Sequence, residues 1–565
     1  MSIKSEKEKH KVIVSERIIP HRSELAEKLG DTHFNVLPTK KIISILLVLS
    51  AGQIVSFMDQ TGITVGLPQI ADELNAEETI NWAGSASLLA NCVCQVLFGR
   101  LSDIFGRKTI LMSSFLFLTI GDIACSVAQT GYQFYIFRAF AGIGNGGVSS
   151  LGMIILSDIV TLEQRGKYQG ILGASVGIGN AIGPFIMSAF IKYSTWRGFY
   201  YFLAPLGVLV NITIYFLIDD NKKQLDSVLS KTEKFKKIDY LGILTATIAL
   251  TLILVPLSSG GSIYPWNSAI VISMFSIGGV FFIIFLMVEW KIPELPMVPL
   301  KVFKSPSLCI LLSCNFLFGA AYYSFLFYLP YYFQIVRGYD EIHTSIFILP
   351  LVLSQAAMST VGGLIITHTG RYIYVVSTGY FLWMLSSIFL IFWNENLHIA
   401  YCVLILLLMG VGVGLSFQPS MIAVQANCKK SQRAVVISLR NVLRSFGGAF
   451  GITAGSTIIS NMLLNKIDII RDKNIVPITY LDYLQKHVYQ KIQVDMLTED
   501  QLLVVKSMYV GSLKYYFIML IAFMGLCLIG SLFVKDRGLQ CIDEEPSHKR
   551  DNDIETTGSS SNSSL

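Results

Sequence analysis

Charged residues are scarce in this chain of 565 residues. They make up 15% of the sequence, whereas soluble domains contain about 25%. Hydrophobic residues reach 53%, and this balance excludes a chain built only of soluble domains. Runs such as 42–57, 109–128 and 403–417 approach or reach the roughly 20 residues that cross about 30 Å of hydrocarbon as a helix. The composition therefore predicts membrane-spanning helices.

Several absences narrow the class of protein further. The sequence has no G-x-x-x-x-G-K-[ST] loop, which argues against direct use of ATP. No His or Cys cluster has catalytic or metal-binding spacing, so we expect neither an enzyme nor a metal site nor a cofactor. None of the nine cysteines falls in a predicted outside loop, which argues against a disulfide framework. No apolar h-region precedes the first span, so we expect no cleaved signal peptide.

The apolar segments predict an all-α membrane protein with 14 transmembrane helices. Continuous apolar runs lack the alternation of a membrane β-barrel, so helices are the expected form. The predicted spans lie near 42–66, 80–99, 109–128, 132–155, 168–190, 199–218, 239–258, 268–289, 307–328, 342–364, 372–393, 399–421, 433–458 and 511–534.

The distribution of Lys and Arg predicts the orientation of these spans. With a cytoplasmic N-terminus, eighteen basic residues lie in the inside loops, whereas the short outside loops hold only Lys192, Arg197 and Arg337. Basic residues concentrate in cytoplasmic loops. Both termini are therefore expected in the cytoplasm, and a long loop at 459–510 is expected outside.

The stretch GRLSDIFGRK, Gly99 to Lys108, joins predicted spans two and three. The orientation rule explains Arg107 and Lys108 but gives no reason for Asp103. Gly99 and Gly106 suit the ends of a tight turn, because glycine has backbone freedom that other residues lack.

This loop resembles the signature loop of the major facilitator superfamily. The resemblance implies that Gly99, Asp103, Gly106, Arg107 and Lys108 form a latch between two halves of a transporter. It also implies that Asp103 lies near the cytoplasmic N-terminus of span thirteen, where the helix dipole favours an anion.

Further motifs resemble the fourteen-span drug:proton antiporters of that superfamily. They are MDQTGITVGLP (58–68), IFRAFAGIGNGG (136–147), GASVGIGNAIGP (173–184) and TWRGFYYFLAPLG (195–207). The third is similar to the antiporter motif, with Gly173, Gly177, Gly183 and Pro184, although bulky Phe185 and Ile186 replace its usual small pair. The segments 157–170 and 433–451 are similar to fungal members, which include multidrug exporters and vacuolar basic amino acid transporters.

The resemblance implies a major facilitator fold of two six-helix bundles plus two extra central helices, in a monomer. The expected divisions are a cytoplasmic tail at 1–41, the first bundle at 42–218, a linker with the extra helices at 219–306, the second bundle at 307–534 and a disordered cytoplasmic tail at 535–565.

Three charged residues within the first-bundle spans are candidates for proton coupling. Asp59 lies in span one, where an ionised carboxylate is costly and usually functional; the alternative is a helix-end acid in water. Arg138 cannot release its proton, so its role would be to tune a nearby carboxylate, unless it snorkels to the interface. Asp122 lies in mid-span, where hydrogen-bonded packing between helices, cation binding and proton relay are all open. The motifs imply coupling for Asp59 and Arg138.

Polar residues in the spans are candidates for a substrate cavity. Arg440 and Arg444 share one helical face, where they either reach the membrane interface or line the cavity of the second half, and Arg444 is the deeper of the two. Tyr323 belongs to an aromatic run that suits either an interfacial belt or a wall for flat or cationic ligands. The candidate cavity residues are Gln53, Asn91, Asn145, Asn180, Tyr323, Gln418 and Arg444.

The leading interpretation is a secondary antiporter that exchanges protons for a small organic or cationic solute by alternating access. The alternative is a vacuolar basic amino acid transporter, and a membrane sensor that moves no solute is a third. The plasma membrane and the vacuolar membrane both remain open as locations. The expected partners are protons, the solute and the lipid bilayer, with no nucleic acid.

Overall fold

The computed structural model describes residues 38–76, 79–218, 236, 238–259, 265–291, 297–298, 300–429, 432–473, 475–486 and 497–539. Most of the two predicted tails lie outside these residues, and so does most of 219–237, the first part of the predicted linker at 219–306. The expected disorder at 535–565 therefore concerns a segment that falls almost entirely outside the described part of the chain.

The described residues form sixteen α-helices and no strand. Fourteen segments are long and apolar enough to cross a membrane, as predicted, so this is a multi-pass all-α membrane protein. The helices are α1 (Thr39–Glu73), α2 (Asn81–Phe105), α3 (Arg107–Ser126), α4 (Gly131–Ile159), α5 (Leu162–Tyr193), α6 (Trp196–Leu217), α7 (Tyr240–Ser259), α8 (Ala269–Lys291), α9 (Pro306–Tyr331), α10 (Glu341–Thr369), α11 (Ile373–Leu390), α12 (Ile399–Phe417), α13 (Pro419–Ala426), α14 (Arg433–Lys473), α15 (Ile478–Lys486) and α16 (Glu499–Leu532).

Two bundles make up most of the molecule. Helices α1–α6 surround one apolar core that includes Leu118, Phe134 and Trp196. Helices α9–α12, α14 and α16 surround another that includes Phe318 and Trp383. We name the side of the membrane on which α1 begins and α16 ends the tail side, and the opposite side the far side.

The extra helix α7 lies across the seam between the bundles. Its residue Leu254 packs with Cys92 of α2 and Ala449 of α14, so it touches both bundles. The Thr453 hydroxyl of α14 also donates a hydrogen bond to the carbonyl of Leu257. Helix α8 is largely exposed, as expected of a helix that faces lipid.

The far side of the second bundle contains more helix than the sequence predicted. The segment 459–510 was expected to be a loop, but α14 continues to Lys473, α15 follows, and α16 begins at Glu499. Leu463, Tyr480 and Val505 are buried in the second-bundle core, which stabilises these extensions. Their polar neighbours lower the mean hydropathy and conceal the helix from a search for apolar runs. A capping box formed by Thr498 and Gln501 begins α16.

The predicted span at 399–421 is interrupted in its tail-side half. Helix α12 ends at Phe417 and α13 begins at Pro419, with Gln418 between them. Proline lacks a backbone N–H and its ring clashes with the preceding turn of a helix, so it favours a break at this position. The break frees backbone carbonyls close to the interface between the two bundles.

Candidate functional site

Glycines draw α4 into the centre of the first bundle. A Cβ atom at Gly142 would overlap the backbone of Ser87 in α2, and a Cβ atom at Gly144 would overlap the backbone of Leu118 in α3. Small residues allow such close approach of helices in a membrane. As a result, the polar side chains of α4 are enclosed by protein and Arg138 is 1% exposed.

The structure brings Asp59 and Arg138 together in an ion pair. The Arg138 guanidinium donates to Oδ1 of Asp59, and the Asn145 amide donates to Oδ2 of Asp59 at 2.6 Å. The Ser56 hydroxyl donates to Oδ1 of Asn145 at 2.6 Å and fixes the orientation of that amide. Asp59 is fully buried, so the alternative of a helix-end acid in contact with water does not hold.

Asp122 lies beside this pair. It is buried and in electrostatic contact with both Asp59 and Arg138. Within the described part of the chain, neither of its carboxylate oxygens receives a hydrogen bond from an N–H or O–H group. Two carboxyl groups therefore face one guanidinium, which leaves one negative charge over unless the pair holds a proton. We call Asp59, Asp122, Arg138 and Asn145 the acid cluster.

Two other predicted cavity residues take part in packing within the first bundle. The Gln53 amide donates to the carbonyl of Val148 in α4 at 3.2 Å. The Asn91 side chain accepts from Gln95, and the Asn91 backbone lies against Gly146. The described contacts of Gln53 and Asn91 connect helices of the first bundle. Asn145, a third predicted cavity residue, belongs to the acid cluster.

The latch residues form a network of ions at the tail side. Asp103 pairs with Arg100 at 3.2 Å and with Arg107 at 2.7 Å, and Arg107 also pairs with Asp158 of α4 at 2.9 Å. Gly106 has a φ of 99°, which explains the glycine between α2 and α3. Arg100 and Asp158 were not singled out as site residues from the sequence, although they lie within the segments 99–108 and 157–170.

Lys108 and Gly99 of the latch contact helices other than their own. Lys108 donates to the carbonyl of Tyr215 at 2.7 Å and lies over the Tyr215 ring, so it contacts α6 within the first bundle. The approach to α14 is made by Gly99, where an added Cβ atom would overlap the Ser438 hydroxyl. The ion pair of Asp103 with Arg100 lies within α2, and its pair with Arg107 joins α2 to α3.

The hairpin of extra helices adds two acids near the latch. Asp239 precedes α7 and accepts from the backbone N–H of Gly242 at 2.7 Å. Glu289 of α8 accepts from the backbone N–H groups of Met297 and Val298 at 3.1 and 3.2 Å. Both carboxyl groups are in electrostatic contact with Arg100. Burial raises the pKa of Asp239 above its ordinary value, although the Gly242 N–H lowers it in part.

Glycines of α5 form the closest contact between the bundles. A Cβ atom at Gly166 would overlap the carbonyl of Gly363 in α10, and one at Gly177 would lie 2.8 Å from the Ala356 side chain. Gly173 faces Gln418 and Ser359, whereas Gly183 faces α1. The predicted glycines therefore lie on two faces of α5, one against the second bundle and one against α1. Pro184 lies within the same helix. Gly166 and Gly170, which also face α10, were not predicted.

Arg440 of α14 secures the break between α12 and α13. Its guanidinium donates to Asn315 at 2.7 Å, to the carbonyl of Phe417 at 2.6 Å and to the Ser420 hydroxyl at 3.1 Å. The remaining described bond goes to Asn441 at 3.1 Å. All four of these partners are neutral, and one is a carbonyl freed by the end of α12.

Arg444 lies one turn further along α14 and is 3% exposed. Its guanidinium carbon lies 4.6 Å from the centroid of the Phe417 ring. Its Nε and one terminal nitrogen have no hydrogen-bond partner among the described residues. In sequence, residues 300–339, 342–394, 396–467 and 501–535 contain no Asp or Glu. We call Arg440, Arg444 and Phe417 the arginine cluster.

A hydrogen-bonded chain joins the two bundles near the arginine cluster. The Asn180 amide of α5 donates to the Tyr322 hydroxyl of α9 at 3.1 Å, and this hydroxyl donates to Gln355 of α10 at 3.1 Å. The predicted cavity residues Asn180, Gln418 and Arg444 thus lie at or near the contact between the bundles. Tyr323 instead packs against Gly448 of α14.

These features define a membrane transporter: two six-helix bundles meet along glycine-lined helices, with buried charge clusters in both bundles. Comparison with known proteins identifies the family. The Major Facilitator Superfamily model matches residues 49–452, and the chain belongs to this superfamily. This confirms the resemblance inferred from the motifs and the fold class that it implied.

Individual relatives share much of the chain. It is 44% identical over 508 residues to Citrate exporter 1 of Yarrowia lipolytica, covering 90% of this chain and 74% of that protein. It is 27% identical over 523 residues to the vacuolar membrane amino acid uptake transporter fnx2 of Schizosaccharomyces pombe, covering 92% and 88%. The solved proton:xylose symporter XylE matches with a TM-score of 0.59 at 12% identity, covering 90% and 98%, which supports the fold alone.

Proposed function

We propose that this transporter is a proton-coupled antiporter that exports a small organic solute by alternating access. The observation that carries the proposal is the acid cluster, in which the buried carboxyl groups of Asp59 and Asp122 face one guanidinium and the Asn145 amide donates to Asp59. Ionisable groups within membrane spans are costly and typically lie on proton or substrate pathways. The buried cluster has no evident structural need for its second acid.

Charge counting suggests how the cluster would carry a proton. Arg138 stays protonated under all ordinary conditions, so the exchangeable proton belongs to Asp59 and Asp122. One proton on this pair balances its charge against the guanidinium, and release of that proton leaves a buried negative charge. The protonated and deprotonated proteins would therefore differ in the access state that they favour, as coupling requires.

The direction of transport and the membrane that holds the protein are argued from loop charge and from the named relatives. The excess of Lys and Arg in the tail-side loops supports a cytoplasmic tail side. A relative named as an exporter supports movement away from the cytoplasm, and one named as a vacuolar membrane transporter keeps both the vacuolar and the plasma membrane open. The closely packed tail-side contacts, such as Gly166 with Gly363, correspond in this proposal to a state closed to the cytoplasm.

Uptake of basic amino acids into a vacuole is the second candidate. It is favoured by the similarity to fnx2 over 92% of the chain. A basic substrate would, however, face an arginine cluster in a bundle whose sequence-predicted spans contain no acid. For this reason the exporter of a non-basic organic solute is the stronger proposal.

The test is Asp59→Asn in sealed vesicles that contain the purified protein. With an imposed pH difference, wild-type protein should concentrate labelled solute, whereas the variant should only equilibrate it. Labelled citrate, labelled lysine and a lipophilic dye would be compared as solutes. Asp340→Asn is the matched control, because Asp340 is an exposed acid at the start of α10 on the far side. Normal uphill transport by the Asp59 variant would contradict the coupling proposal.

A further inference from the structure

The arginine cluster poses a charge problem that differs from that of the acid cluster. Arg440 and Arg444 are both buried, and the predicted spans of their bundle, as bounded from the sequence, contain no Asp or Glu. A buried cation is costly unless an anion or a full set of hydrogen bonds accompanies it. The two arginines meet this requirement in different ways.

Arg440 is satisfied by the protein itself. Its three nitrogens all donate to described oxygen atoms of Asn315, Phe417, Ser420 and Asn441. Arg444 is not satisfied in this way, because its Nε and one terminal nitrogen lack partners among the described residues. Stacking on Phe417 fixes the plane of its guanidinium but offers no negative charge.

We propose that Arg444 binds a carboxylate of the exported solute, so that the cargo is a small organic anion with more than one carboxyl group. This inference rests on the proposed export function and adds the class of solute and its site. A guanidinium edge with two free N–H groups matches the two oxygens of a carboxylate.

Unpaired amides near the guanidinium provide for the rest of such a solute. The amide nitrogens of Gln355 and Gln418 are buried and have no described acceptor. Arg444 is in electrostatic contact with Tyr322, whose hydroxyl bonds to Gln355. Gln418 directly follows Phe417, on which Arg444 stacks. Neutral donors of this kind suit a second carboxylate or a hydroxyl group.

The site lies where a bound solute would contact both bundles. Asn180 belongs to α5 of the first bundle, and its side-chain nitrogen donates to Tyr322. Its side-chain oxygen, Oδ1, has no hydrogen-bond donor among the described residues. A hydroxyl group of the solute would be a suitable donor to that oxygen. An anion held between Arg444 and Asn180 would bridge the bundles, so its presence would bias their relative position. The cargoes in the names of two relatives, citrate and amino acids, both carry carboxylates.

The test measures binding apart from transport. Purified protein in detergent would be titrated with citrate, succinate, acetate and lysine, while the midpoint of thermal unfolding and the heat of binding are recorded. A ligand that binds the folded state raises this midpoint. Citrate should raise it most, acetate and lysine little. Arg444→Gln should weaken citrate binding by at least tenfold, whereas Lys466→Gln, a half-exposed cation on the same helix, should leave it unchanged.

The conservative variant guards against a folding defect. Arg444→Lys keeps the charge but loses the planar pair of donors, so citrate affinity should fall several-fold while the unliganded midpoint stays near that of wild type. Citrate binding of wild-type strength in either Arg444 variant, or lysine binding as strong as citrate binding, would overturn the assignment. Asp59→Asn should still bind citrate. If Arg444-dependent binding holds but wild-type vesicles show no proton-driven transport, the proposed function fails and the anion site stands.

Discussion

The centres of the two bundles both contain buried arginine but carry opposite surplus charge. In the first bundle, one arginine faces Asp59 and Asp122. In the second, Arg440 and Arg444 lie among neutral groups, and the sequence-predicted spans of this bundle have no acid. A surplus of buried carboxyl groups suits the uptake of protons, whereas a surplus of buried guanidinium suits the binding of an anion. The difference suggests a division of tasks between the halves.

Local packing explains how each centre arises. In the first bundle, glycines of α4 allow neighbouring helices to enclose Arg138. In the second, the break at Gln418 provides carbonyl and hydroxyl acceptors for Arg440, whereas two nitrogens of Arg444 have no hydrogen-bond partner among the described residues. A continuous helix in place of the break would not offer the Phe417 carbonyl to a side chain.

The largest expected difference between the bundles is in the stability lost when one buried arginine is removed from each. Arg138→Gln leaves Asp59 and Asp122 without a cation, and loss of one partner of a buried ion pair typically costs about 3–5 kcal/mol. Arg440→Gln loses hydrogen bonds to neutral groups but also removes a buried charge, so its cost should be smaller. Thermal unfolding in detergent would measure both. A greater loss of stability in the Arg440 variant would contradict the account of the two centres.

An intermediate effect is expected from Asp122→Asn. The change removes the surplus carboxyl group of the acid cluster and leaves the Asp59 ion pair in place. Uphill transport in vesicles should fall and its dependence on pH should flatten, whereas exchange of labelled for unlabelled solute should continue. Unchanged coupling in this variant would mean that Asp59 alone carries the proton.

The smallest effect concerns Asp239, a buried acid that belongs to neither centre. Because burial raises its pKa, its contribution to stability is present at low pH and is lost as the pH rises through the raised value. Asp239→Asn keeps an oxygen for the Gly242 N–H and avoids the buried charge. The unfolding midpoint should therefore rise by a few degrees at most at neutral pH, with little change at low pH and no change in proton coupling.

Asp340 is the control for this prediction, because the pH dependence of its contribution to stability is opposite to that of Asp239. The His343 backbone N–H and side chain hold the pKa of exposed Asp340 below its usual range. Stability from Asp340 is therefore present at neutral pH and is lost as the pH falls through the lowered value. A midpoint that rises with pH in wild type but not in Asp340→Asn would agree with this sign.

Sequence patterns predicted the number of spans and the family, because apolar runs and short motifs encode both directly. The far-side helices of 459–473 and 499–510 were missed, since their apolar residues are spaced among polar ones and gain stability only from tertiary packing. The pairing of Asp59 with Arg138 follows from how α1 meets α4, which one sequence does not reveal. The sequence likewise did not reveal that Arg440 has hydrogen-bond partners on all three nitrogens whereas Arg444 does not, because this difference depends on the break between α12 and α13.

The central claim is that an organic anion moves against protons through these two centres. Its most direct measurement is the accumulation of labelled citrate by sealed vesicles that contain the purified protein, under an imposed pH difference, with and without a protonophore. The account predicts accumulation above equilibrium that collapses with the protonophore and is absent in Asp59→Asn and Arg444→Gln. Equal citrate movement with and without the pH difference would contradict it.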